Sequence, residues 1–173
     1  MENRRKYRKT IVYFQSKYQP EQIWEFLTHP KYIVDFTKEP CFHNEIDDNF
    51  KLEKNNSWKE IHTGKDCNGD KVECKIIGIN KYNNFSTVRH QAGIKNTTIF
   101  KLKKNKEGTL ISEEQLFFFS LISFGGLGII SWIILITGAL AKFSFKPDED
   151  LFWFEKMEKT IANNQLGDST INL

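Results

Sequence analysis

The spacing of hydrophobic and polar positions changes twice along the chain. Residues 6–15, KYRKTIVYFQ, alternate imperfectly and predict a first strand. Pro20 then suits the first turn of a helix, where its missing N–H removes no bond. Glu21 and Glu25 add favourable charge near that helix start, and Ile23, Trp24, Phe26 and Leu27 give residues 20–28 a broad apolar face. Pro30 stops the helix. A second short one is expected over residues 31–36, carrying Tyr32, Ile33 and Phe36 inward.

From residue 46 the period becomes two. Strands are predicted over 46–53, 57–63, 70–80, 83–91, 95–104 and 108–120. Turns are supplied by Asn55-Asn56, Asn68-Gly69-Asp70, Asn83-Asn84 and Lys106-Glu107-Gly108. Alternation is cleanest in KVECKI, with Val72, Cys74 and Ile76 on one face and Lys71, Glu73 and Lys75 on the other. It recurs as Thr98, Phe100 and Leu102 against Lys101 and Lys103. One wet and one buried face indicate an antiparallel sheet covered on a single side. After Pro147 the pattern returns to helical spacing, with Leu151, Phe154, Met157 and Ile161 in register over a helix 148–165. The fold class is therefore α+β. A bent sheet closed by that last helix leaves a space that is either filled core or a ligand cavity.

The run from Phe14 to Phe36, FQSKYQPEQIWEFLTHPKYIVDF, resembles the opening of the START-like superfamily, which includes polyketide cyclase/dehydrase and lipid-transport members. The shared features are a strand, a polar turn with Pro, a helix reading Gln22-Ile23-Trp24-Glu25-Phe26-Leu27, a break at His29-Pro30, and a small helix ending in an aromatic residue. The family often has Trp at that last point, where this chain has Phe36. The resemblance covers nearly the whole chain as one domain, 1–173. It implies a helix-grip fold: a curved seven-stranded antiparallel sheet wrapped on a C-terminal helix, with two short helices after the first strand. It also implies an internal cavity that sequesters or transfers a hydrophobic, lipid-like molecule; no cofactor or metal is expected, since the sequence carries no motif for one. Two alternatives stay open: a cyclase/dehydratase-like enzyme acting on an apolar substrate, and a non-catalytic domain that associates with a membrane or partner.

Residues 121–145 depart from the family pattern. From Gln115 to Ala141 the chain carries no charge, and as a helix this stretch is long enough to span a bilayer. A full span would separate helix 148–165 from the sheet and open the apolar face to water, at a cost on the order of 10 kcal/mol. Three arrangements are open: a helix buried in a monomer, a shallow membrane-dipping hairpin, and a surface covered by a second subunit. Gly128, Ser131 and Gly138 form a small-residue stripe suited to close packing.

Charge adds little. The net charge is +3, and the only concentrated basic patch is Arg4-Arg5-Lys6 with Arg8-Lys9. Aromatic residues fall on the buried side of the strands rather than among the lysines, which argues against nucleic-acid binding. Cys41, Cys67 and Cys74 form no metal-like pair, and the expected localisation is cytoplasmic, with membrane association through 121–145 the added option. No nucleophile, dinucleotide, phosphate-loop or zinc motif is present.

Two titratable residues are candidates for the cavity. If Ser86 and Val88 point inward, His90 shares their face and Arg89 is solvated. If Leu110, Ser112, Leu116 and Phe118 point inward, so does Glu114, as an acid or a polar anchor for a ligand, and Glu113 faces water. A register error of one residue would exchange each pair. Glu114 and His90 are also the catalytic candidates of the enzyme alternative. Trp24, Phe36, Phe100 and Phe118 are the candidate walls, whether of a cavity or of an ordinary core. Trp58 and His62 share a face without a third polar partner, and Cys74 reads as a small buried hydrophobe.

Overall fold

The computed structural model describes residues 6–36, 42–63, 69–91, 94–119 and 147–169, and within these the side chains of 6–8, 34–36, 119, 147–149 and 165–169 lie outside the description. The segment 121–145, and with it the choice among its three arrangements, lies outside the described residues. Among those described, no helix is long and apolar enough to cross a membrane.

The strands are β1 (Lys6–Ser16), β2 (Phe42–Glu45), β3 (Ser57–His62), β4 (Lys71–Asn80), β5 (Asn84–Gln91), β6 (Ile94–Asn105) and β7 (Gly108–Phe119). They form one antiparallel sheet in the order β1-β7-β6-β5-β4-β3-β2. Among the described residues, three helices accompany the sheet: α1 (Pro20–Thr28), α2 (Pro30–Phe36) and α3 (Pro147–Ser169). This is the helix-grip arrangement, a curved sheet gripping its C-terminal helix.

Local chemistry explains most element ends. Gln19 caps α1: its backbone N–H donates to Gln22 Oε1 at 2.9 Å, while Gln22 N–H donates back to the Gln19 carbonyl at 3.0 Å. Pro20 fills the first helical position. Asn55 takes φ +77° and Gly69 φ +74° in the turns around β3 and β4. The predicted strand over 46–53 is absent, and the strand lies earlier, at Phe42–Glu45. Asp47 is the reason. Its side chain accepts the Asn49 N–H at 2.7 Å and its carbonyl accepts the Phe50 N–H at 2.9 Å, so this backbone is committed to a turn.

The inner face of the sheet meets α1 and α3 through Val12, Ile23, Leu27, Ile76, Phe85, Ile111, Phe154, Met157 and Ile161, all buried. Leu151, expected inside from its spacing, is 36 % exposed, and Trp153 packs against the core instead. Glu158 fastens α3 to the end of β1: one carboxylate oxygen accepts the Ser16 hydroxyl at 2.6 Å and the Lys17 N–H at 3.0 Å. Thr109 ties the same corner by donating to the Tyr18 carbonyl at 2.7 Å.

Gly108 makes this corner possible. It sits at φ +127°, and a Cβ there would collide with the carbonyl groups of Ser16 and Lys17. Gly108→Ala is therefore expected to cost about 2 kcal/mol or more, from strain plus the forced shift of β1. Urea denaturation measures it, and a loss below about 0.5 kcal/mol would refute the close approach.

Candidate functional site

Cross-strand register places polar side chains in adjacent rows on the inner face. One row runs Trp58, Cys74, Arg89, Asn96 and Phe117, the next runs Ile76, Thr87, Thr98, Gln115 and Thr10, and a third runs Phe85, Phe100, Glu113 and Val12. The helices do not fill the space above these rows. They leave a cavity of about 220 Å3. Its apolar walls come from Leu27, Ile33, Phe42, Phe85, Phe100 and Trp153. Glu60, Arg89, Thr87, Thr98, Glu113, Gln115 and Asp150 supply its polar surface.

Glu60 is 3 % exposed and lies between two basic groups. Arg89 Nη1 donates to Glu60 Oε2 at 3.3 Å, and His62 Nε2 stands 3.6 Å from the same oxygen, too far for a hydrogen bond. The His62 ring stacks on Phe42 at 5.5 Å between centroids. Arg89 is surrounded by protein, yet 40 % of its side chain stays open because that surface is cavity wall. Its pKa moves up: burial opposes the charge, but the neighbouring negative charge, that of Glu60 first, outweighs that penalty. Burial, with Glu60 adding to it, pushes the Cys74 thiol well above its usual range, so it stays protonated and unreactive.

Glu113 differs from Glu60. It is 6 % exposed, and its Oε1 accepts a hydrogen bond from Gln115 Nε2 at 2.9 Å. Loss of hydration, reinforced by the negative charge of Asp150, pushes its pKa up to about 8, against the smaller opposing effects of Gln115 and Arg89. At neutral pH it is mostly a neutral acid that donates as well as accepts. Trp58 also lines the cavity, at 4 % exposure, and its Nε1–H is buried without a hydrogen-bond partner among the described residues.

These placements differ from several expectations. Glu114 lies on the outer face, where its carboxylate bonds Lys101 at 2.7 Å and pairs with Lys9 at 3.1 Å. Those two cations hold it below the usual carboxylate range. Its neighbour Glu113 is the inward residue. His90 is exposed on the outer face, and Arg89 points in. Val88, the cue for the opposite reading, is buried at 9 % exposure but on the outer side. Phe118 is likewise on the outer face, with Lys95 Nζ 5.4 Å from its ring centre. Trp24 is buried in the core, edge-on to Tyr82 and Phe85 at 5.8 and 6.4 Å, and is not a wall of this cavity. Phe100 lines the cavity. Phe36 closes α2, and its side chain lies outside the described residues. Glu60, Arg89, Glu113 and Gln115 were not singled out from the sequence as cavity residues. Among the described residues no cluster suits a metal ion.

No family model matches the chain, and no curated protein matches it. Solved structures do. A protein of unknown function from Staphylococcus aureus, SA2116, is similar over 94 % of this chain and 98 % of its own, with a TM-score of 0.60 at 10 % identity. Ara h 8.0201 is similar over 91 % of this chain and 99 % of its own, with a TM-score of 0.58 at 13 % identity. Protein MLL2253 from Mesorhizobium loti is similar over 91 % and 98 %, with a TM-score of 0.54 at 19 % identity. Nearly full coverage of both partners in each pair gives the chain the helix-grip fold of these proteins.

Proposed function

We propose that this domain binds and sequesters a small amphipathic molecule in the cavity between sheet and α3. The observation that carries the reading is a cavity of about 220 Å3 with aromatic and aliphatic walls on one side and the Arg89–Glu60 pair and Glu113 on the other. Removal of apolar surface from water would drive binding, and the polar groups would orient the ligand. The START-like resemblance supports an internal ligand of this kind. Volume argues for a compact one: a cavity of roughly 150 Å3 holds benzene, so this space suits a molecule on the order of ten non-hydrogen atoms rather than a long-chain lipid.

A catalytic reading has one observation in its favour, the convergence of Glu60, Arg89 and Glu113 on the same space. One experiment addresses both. The protein is purified without detergent, and molecules that copurify are identified by native mass spectrometry and extraction. The expected result is a bound species of that size, absent from Thr98→Phe, whose ring would occupy the cavity. Recovery of the same molecule unchanged after incubation supports binding, and its conversion supports catalysis. A wild-type protein without any adduct, unaltered by Thr98→Phe in thermal shift with small aromatic probes, would overturn the proposal.

A further inference from the structure

We propose that the ligand of the cavity is a compact organic acid, held as its carboxylate by the open part of the Arg89 guanidinium with the Thr87 and Thr98 hydroxyls beside it. The inference rests on the binding function proposed above and names the ligand class.

Three successive cross-strand pairs on β5 and β6 grade from apolar to basic. Phe85 stands opposite Phe100, Thr87 opposite Thr98, and Arg89 opposite Asn96. Neighbouring pairs are two residues apart, roughly 7 Å along the strand. Phe85, Phe100, Thr87, Thr98 and Arg89 all line the cavity. A ligand with its apolar body over the aromatic pair therefore has its polar end over the hydroxyls and the guanidinium.

Arg89 has more donors than the protein uses. A guanidinium carries five N–H groups in a rigid fork. Among the described residues, that side chain makes one hydrogen bond, from Nη1 to Glu60 Oε2 at 3.3 Å. The accessible 40 % of the side chain puts the fork within reach of a ligand. Thr87 and Thr98 are half-buried, and neither hydroxyl makes a hydrogen bond among the described residues. A carboxylate matches this set: its two oxygens accept from the fork in parallel and keep lone pairs for the hydroxyls, and such charge-assisted bonds are stronger than neutral ones. A wholly apolar ligand would strip water from the guanidinium and return no bond.

The acids of the cavity set the pose. The Glu60 charge is already matched by Arg89. Glu113 is mostly protonated at neutral pH, because burial first and Asp150 second raise its pKa to about 8, so it does not repel an anion. Asp150 belongs to α3, on the other side of the cavity from the sheet, and its charge pushes a carboxylate toward β5 and β6. An ammonium ligand would take the reverse pose and leave the Arg89 donors unmet.

Benzoate, benzamide and benzamidine share one ring and a planar substituent of the same shape, and differ in carrying a negative, no and a positive charge. Each is titrated calorimetrically against the full chain at neutral pH. Benzoate is expected to bind about tenfold tighter than benzamide, and benzamidine more weakly than both. Combining Arg89→Met with Glu60→Gln removes the cation without stranding the buried Glu60 charge, and should abolish the advantage of benzoate over benzamide. A second measurement needs no variant and decides the matter if that one fails to fold. Of the arginine Nε–H resonances in wild type, one should move downfield with benzoate and stay in place with benzamidine. Benzamide binding as tightly as benzoate, benzamidine as the tightest probe, an advantage that survives the double substitution, or arginine resonances unmoved by benzoate would each overturn the inference while the cavity function stands. Failure of all three probes to bind would remove both.

Discussion

Replacing Glu113 by Gln is expected to leave stability nearly unchanged at about pH 4 and to make the domain more stable than wild type by on the order of 4 kcal/mol at about pH 9. The carboxyl has a folded pKa of about 8 against an ordinary value of 4.5, raised by burial first and by Asp150 second. Between those two values the unfolded chain has released the proton and the folded chain still holds it. Unfolding therefore releases a proton, and stability falls as pH rises from 4.5 to about 8. Below that window both states are protonated and the residue contributes no pH dependence. Above it both are ionised and the loss is complete. The substituted amide mimics the protonated acid in shape, keeps a carbonyl oxygen for the Gln115 side chain, and has nothing to ionise. Urea denaturation of both proteins across this pH range measures the difference between the two curves. Parallel curves would mean that Glu113 is ionised in the folded state, and the neutral-acid account of the cavity would fail.

Two adjacent carboxylates on β7 therefore have opposite environments. Glu114 faces out, bonded to Lys101 and paired with Lys9, and ionises more readily than a free glutamate. Glu113 faces in, loses its hydration and holds its proton. Nothing in the dipeptide itself distinguishes them. Register alone does, and it determines whether the cavity contains a buried acid.

That register was available in the sequence through a different route from the one that misled. Reading β7 by its own apolar residues favours Leu110, Leu116 and Phe118, because Glu113 and Gln115 make the true inner face look wet. The functional surface thus disguises the strand that carries it. Hairpin geometry is unaffected by such polarity. Thr98, Phe100 and Leu102 give the inner face of β6 without ambiguity, and the two-residue connection Lys106-Glu107 sets Leu102 opposite Ile111 and Phe100 opposite Glu113. The same transfer from β6 to β5 pairs Asn96 with Arg89 and turns His90 outward. Helix α1, by contrast, was legible directly, because Pro20, the acidic first turn and the Ile23–Trp24–Leu27 face all agree, and the structure adds the Gln19–Gln22 cap. The strand over 46–53 was misread because Ile46, Phe50 and Leu52 supplied period-two bulk while Asp47 and Asn49 had already claimed the backbone for a turn. Cavity volume was not legible at all. It depends on how far α3 stands from the sheet, and residues that line a space and residues that fill one are the same types.

Truncating Phe154 to Ala tests that separation, with an expected loss of about 3–5 kcal/mol. Phe154 has no exposed surface, and its ring stacks on Phe14 of β1 at 5.2 Å with 21° between planes. It also supports two cavity walls, lying edge-on to Phe100 at 6.5 Å and to Trp153 at 5.3 Å. Removing the ring deletes the stacked contact of α3 with Phe14 of β1 and the backing of both walls at once, so any bound molecule should be lost with the stability. Phe154→Leu restores much of the volume without the stacked geometry and should recover more than half of the free energy. Leu151, one turn earlier and 36 % exposed, supplies the control: Leu151→Ala should stay within about 0.5 kcal/mol of wild type. Spacing alone ranks the two positions alike, since both belong to the same helical stripe in the sequence, and the structure separates them. Equal effects at the two positions, measured by urea denaturation, would show that α3 does not rest on the sheet through Phe154, and the cavity would lose the roof that its walls require.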